Sequence, residues 1–155
     1  MQSSTSAEQG TKTIRLKTLT KLSTTLPTSV TNYENSAKQF RKAYRLPTNL
    51  TPGSLNLQQT LIAEEYAELN EAFCELRKDI SNKRAREHML KELTDLLYVI
   101  HQMAAAFDWD ICSAFNRVHA SNMSKLDENG DPIYREDGKI LKGPNYFLPQ
   151  LIDLV

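Results

Sequence analysis

Four carboxylates in apolar company constrain this chain more than any other feature. Glu65 and Glu68 stand three residues apart with Glu64 directly beside them, and Glu92 and Asp95 repeat that spacing after a gap of 23 residues. A separation of three puts both members of a pair on one face of a helix. Glu65 and Glu68 share their stripe with Leu61, Leu69 and Ala72, and Asp95 lies within Leu93–Ile100, the most apolar run of the sequence. An unpaired carboxylate in such surroundings costs several kcal/mol or takes up a proton. Four carboxylates facing one another across two helices offer another outcome, a site for a hard divalent cation, Mg²⁺ or Mn²⁺. These four residues are therefore the expected metal ligands and the expected active site. The plain alternative is a set of surface acids paired with Lys and Arg, and Lys91 is the only base within four residues of Asp95.

The rest of the chain is organised around helices. Tyr33, Ala37, Phe40 and Tyr44 recur at helical spacing, predicting a first helix from near Ser29 before Pro47, Pro52 and Gly53 break the chain. A second helix is expected from about Leu55 to Ile80, turning Leu61, Ile62, Leu69, Phe73, Leu76 and Ile80 inward and Gln58, Glu71, Glu75 and Lys78 outward. Ser81 or Asn82 can cap a third helix, which runs to about Phe107 with Met89, Leu93, Leu96, Leu97, Ile100 and Met103 inward. Asp110 can cap a fourth, Ile111 to Ser124. Ile133–Glu136 and Lys139–Leu141 flank Asp137-Gly138, a strong hairpin signal, and Tyr146–Pro149 reads as an extended segment packed back on the helices. The expected fold is all-α, a bundle of four to five helices with a small C-terminal β-hairpin. Wide apolar faces on so few helices predict a homodimer, with a tetramer as the alternative.

Composition narrows the partners. With 155 residues the chain is long enough for one core, and 19 basic residues cancel 19 acidic ones, so no net field recruits nucleic acid or an anionic membrane. No apolar run approaches the ~20 residues of a membrane span. Cys74 and Cys112 have no metal-type spacing and read as reduced thiols buried on helices, which fits a cytoplasmic protein. Residues 1–27 hold eleven Ser or Thr, four bases and one acid. They read as a disordered tail ahead of a domain over 28–155, with an organelle transit peptide as the alternative. Asp127–Asp131 begins like a calcium loop, but Pro132 and Gly138 stand where that loop needs glycine and glutamate, so it reads as a turn. His88, His101 and His119 are too scattered for a zinc site, although His88 lies one turn before Glu92.

The pattern Glu65-x-x-Glu68, 23 residues, Glu92-x-x-Asp95 resembles the signature of the all-α NTP pyrophosphatase superfamily, which includes MazG-type enzymes, phosphoribosyl-ATP pyrophosphohydrolases and dimeric dUTPases and dCTPases. Glu64-Glu65, Asn122-Met123-Ser124-Lys125, Asp137-Gly138-Lys139 and Lys142-Gly143-Pro144-x-Tyr146 resemble its MazG-like, phosphoribosyl-ATP pyrophosphohydrolase-like branch. The resemblance implies Mg²⁺-dependent hydrolysis of a (d)NTP between the α- and β-phosphates, giving monophosphate and pyrophosphate, in the house-cleaning of non-canonical or excess nucleotides. It implies Glu65, Glu68, Glu92 and Asp95 as ligands, and Asn122 and Lys125 as nucleotide contacts. Arg135, Lys139 and Lys142 are further phosphate partners, each with a solvated side chain as its alternative. Glu64, about 100° round the helix from Glu65, is expected to orient or deprotonate the attacking water, unless it is an ordinary surface glutamate. Base recognition is expected to involve the first helix and its loop, with Phe40 or Tyr44 as stacking faces, against the alternative that aromatics at helical spacing are more often core. Two other readings stay open: a narrow dUTPase or dCTPase on the same scaffold, and a non-catalytic, metal-binding helical dimer.

Overall fold

The computed structural model describes residues 30–155, with side chains from Tyr33 onward. The expected tail at 1–27 lies outside the described residues. Four helices follow one another: α1 (Val30–Ala43), α2 (Pro52–Lys78), α3 (Lys83–Phe107) and α4 (Ile111–Met123), with a 3₁₀ turn at Ile152–Leu154. Local chemistry sets their limits. α2 begins three residues earlier than its apolar pattern suggests, because Thr51 and Ser54 form a reciprocal capping box (Ser54 N–H to Thr51 Oγ1, 3.1 Å; Thr51 N–H to Ser54 Oγ, 2.9 Å) ahead of Pro52. The Asn82 side chain accepts from Arg84 and Ala85 at the start of α3, and Asp110 accepts from Ser113 at the start of α4. α3 ends on Asp108 in the left-handed conformation, φ 58°.

α2 and α3 fold back on each other through residues 79–82 and make the principal contact of the molecule, with α1 laid against α3. The buried side of α3 is spelled by Ala85, Glu92, Val99 and Ala106, one position every seven residues, joined by Gln102, Ala104, Ala105 and Phe107. Leu69 and Ala72 meet this face from α2, and Ala37 from α1. Small residues let the helices approach closely, but among the described residues no large side chain is fully buried.

This corrects the expected core. Phe73, Ile80, Leu93, Leu97 and Ile100 are exposed, Ile80 to 72% and Leu93 to 50%, whereas Gln58, assigned to the polar face, is buried. Leu90, Leu93, Leu97 and Ile100 form a second apolar stripe on α3, which the sequence pattern alone could not tell from the stripe that packs inside the chain.

The C-terminal hairpin is reduced to one antiparallel bridge, Tyr134 to Ile140, around Gly138 at φ 82°. Arg135 N–H donates to Lys139 O and Leu141 N–H to Ile133 O, both at 2.8 Å, but no strand forms among the described residues. Tyr134 and Ile140 are both exposed, so the pairing buries no apolar face that would extend it. Asp127 closes the preceding turn by accepting from the Asn129 and Asp131 amides, as the turn reading expects. The following segment does pack back on α4. Gly143 N–H donates to Lys125 O (2.9 Å), Ser121 Oγ donates to Phe147 O (2.7 Å), and Arg117 holds both Gln150 O and the Asp153 carboxylate. No helix among the described residues is long and apolar enough to cross a membrane.

Candidate active site

The α2–α3 pair brings three of the four expected ligands together. Carboxylate oxygens of Glu65, Glu68 and Glu92 all lie within 4.8 Å of one another. Glu92, on the buried stripe of α3, is 3% exposed, while Glu65 is half-buried and Glu68 exposed. Burial first, and then the Glu68 and Asp95 carboxylates, hold the Glu65 carboxyl above the usual range, with Lys91 acting against them. The donor set fits a hard divalent cation: it is all oxygen, convergent, and mounted on two packed helices.

Asp95 stands outside this group of three. Its Oδ2 lies 2.8 Å from Lys91 Nζ, and the same ammonium lies 2.9 and 3.1 Å from the two Glu92 oxygens. Asp95 and then Glu92 raise the Lys91 pKa above the ordinary lysine value. Glu92 has a second neighbour, His88, whose Nε2 is 3.1 Å from Glu92 Oε1 and whose Nδ1 is 2.7 Å from Glu75 Oε2. A carboxylate stands at each ring nitrogen, and the bond to Glu75 raises the His88 pKa. Glu64 is exposed and outside the cluster.

Toward the N-terminus of α2 and the C-terminus of α3, one turn from Glu65 and Asp95, a groove of about 380 Å³ opens between α1, α2 and α3. Phe40, Leu57, Leu61, Tyr98 and Val99 make it apolar, and Arg41, Gln58 and Gln102 stand in its wall. Phe40 meets Tyr98 edge-on at 5.8 Å and leans on Tyr44 at 4.3 Å. The Gln102 amide donates to Ala37 O (3.3 Å) and the Arg41 guanidinium to Pro47 O. Among the described residues, Gln102 Oε1, Gln58 Oε1 and Arg41 Nε are buried without a hydrogen-bond partner. Sequence reasoning did not find these polar groups, because a glutamine at a helical position reads as surface until tertiary packing covers it.

The expected phosphate contacts gather beyond α4. Lys125 Nζ donates to Asn122 Oδ1 (2.7 Å), and Lys125, Lys139 and Lys142 line an open cleft of about 530 Å³. Lys142 lies over the Tyr146 ring at 4.2 Å. Arg135 is turned onto Asp137 within its own turn (Nε to Oδ1, 2.9 Å). Of the two thiols, Cys74 is exposed, contrary to expectation. Cys112 is half-buried, and burial and the Glu34 carboxylate push its pKa up to about 11.

A family model described as phosphoribosyl-ATP pyrophosphohydrolase matches residues 37–122, more than half of the chain. The matched span runs from α1 into α4 and includes all four acidic positions, the groove and Asn122. No curated protein matches the sequence.

Proposed function

Since the chain belongs to the phosphoribosyl-ATP pyrophosphohydrolase family, within the MazG-like all-α NTP pyrophosphatase superfamily, and so acts on nucleotide pyrophosphate bonds, we propose that it hydrolyses (d)NTPs to monophosphate and pyrophosphate with Mg²⁺, or Mn²⁺ in its place. The observation that carries this reading is the convergence of Glu65, Glu68 and Glu92 to within 4.8 Å on the matched helices. Three carboxylates there repel a triphosphate unless a divalent cation stands between them. Glu65, Glu68 and Glu92, with Asp95 at the edge, would hold Mg²⁺, which would supply polarisation of the phosphoryl oxygens and acidify the attacking water. Glu64, exposed beside the cluster, accepts the proton of the water that attacks the α-phosphorus. Asn122, Lys125 and Lys139 meet the phosphate tail, and Arg135 does so only by giving up Asp137. The groove beside Phe40 takes the base.

House-cleaning of non-canonical or excess nucleotides is the role that follows. The narrower dUTPase- or dCTPase-like reading has Gln58 and Gln102 in its favour, since a site built to hydrogen-bond a base edge rejects bases without matching groups. The exposed α3 stripe supports a homodimer, or a tetramer built from it. Cys74 and Cys112 form no disulfide among the described residues, which supports a reducing compartment such as the cytoplasm. Pyrophosphate release from a panel of canonical and modified triphosphates, with Mg²⁺ and with Mn²⁺, tests the proposal. Glu68→Ala and Asp95→Ala are expected to stay folded and lose at least about 100-fold in kcat, given the several kcal/mol that a bound metal contributes. Wild-type protein that releases no pyrophosphate from any nucleotide would leave the non-catalytic reading in its place.

A further inference from the structure

The acidic cluster carries its own cation. Lys91 Nζ is shared between both oxygens of Glu92, at 2.9 and 3.1 Å, and Asp95 Oδ2 at 2.8 Å. Two of the four acids assigned to the metal are thus engaged by one ammonium. Resting on the metal-site reading above, we propose that Lys91 is an internal counter-ion that competes with the divalent metal for Glu92 and Asp95 and is displaced when the metal binds.

The geometry requires the exchange. Mg²⁺ takes its oxygens at about 2.0–2.1 Å in a near-octahedral shell. An ion that close to the same carboxylates would sit against the ammonium, and two like charges in one acidic pocket repel. Lys91 is also free to leave: its side chain is 59% exposed, so the swing into solvent breaks no packing. Glu92, only 3% exposed, also has His88 Nε2 3.1 Å from its Oε1, a neighbour that the departure of Lys91 does not remove. The arrangement keeps a buried carboxylate neutralised before the metal arrives, and it sets a threshold that the metal must exceed. Sodium and potassium, with one charge each, gain little over the ammonium they would replace.

The test is Mn²⁺ titration of the nucleotide-free full chain by calorimetry and by the electron paramagnetic resonance of free Mn²⁺. Lys91→Gln is expected to bind Mn²⁺ about fivefold more tightly, the scale of an ion pair that no longer has to be broken. Lys83→Gln removes the same charge two turns away on α3 and is expected to change affinity less than about twofold in salt. Lys91→Arg, with a broader fork for the same carboxylates, is expected to weaken Mn²⁺ binding. A wild-type readout needs no variant: the Lys91 side-chain amine resonance should lose its ion-paired shift when Mg²⁺ is added. Equal Mn²⁺ affinity in wild type and Lys91→Gln, weaker binding in Lys91→Gln, or a Lys91 resonance that ignores bound Mg²⁺ would each overturn the proposal while leaving the metal site in place. Failure of both wild type and Lys91→Gln to bind Mn²⁺ would remove the metal site and this proposal together.

Discussion

Burial first, and then the neighbouring carboxylates of Glu68, Asp95 and Glu92, make the ionised form of Glu65 costly in the folded chain. Its folded-state pKa is raised, so the folded chain binds that proton more tightly than the unfolded chain. The stability it contributes is present at low pH and is lost as pH rises through the folded value. Glu65→Gln should therefore raise the melting temperature of the metal-free protein near pH 7 by about 1 °C, the scale of a relieved like-charge helix pair. The same change should abolish Mn²⁺ binding, and melting curves with EDTA and with Mn²⁺ would check both. In wild type, Mn²⁺ affinity should weaken as pH falls, beginning above the range of an ordinary glutamate, near 4.3. The acids were legible because spacing and apolar neighbours identify them without tertiary information. Lys91 was visible only as the nearest base, although its four-residue step to Asp95 already placed the two side by side on a helix. Gln58 and Gln102 were not legible, because tertiary packing buries them, Gln102 against Ala37 of α1 and Gln58 in the groove wall, and nothing in α2 or α3 announces it.

Helix limits could be read to within a few residues where a cap stands, as at Asn82 and Asp110, since capping is local chemistry. The hairpin could not, because Asp137-Gly138 specifies a turn but not the buried face that would turn two short runs into strands. What fixes this part of the chain is Gly143. A Cβ there would fall 2.2 Å from Leu126 O and 2.7 Å from Lys125 O, both backbone atoms that cannot yield cheaply. Gly143→Ala should cost about 1–3 kcal/mol, in the range of an overpacked site, read as a lower urea midpoint. The loss should be local as well as global. The Phe147 amide, which donates to Ser124 Oγ at 3.2 Å, should lose protection from hydrogen exchange, and the lysine cleft beyond α4 should loosen with it.

For the whole molecule, the apolar pattern showed that the helices carry more hydrophobic surface than their mutual contacts need, but not which stripe packs inside the chain. Leu90, Leu93, Leu97 and Ile100 remain exposed on α3, Tyr66 and Phe73 on α2, and Ile80 in the turn between them. A second copy covering these stripes is the reading proposed above. Leu93→Lys should then yield a species of half the wild-type mass in sedimentation velocity, with a lower melting temperature. A wild-type protein that sediments as a monomer would refute the dimer. The alanine-lined contact between the helices has one more consequence. Close-fitting small side chains remove little oily area from water, so an isolated copy has a shallow energy well, and most of its depth would come from its twin. Dilution should then act on this protein as urea acts on others, and its heat resistance should climb with the logarithm of its own concentration.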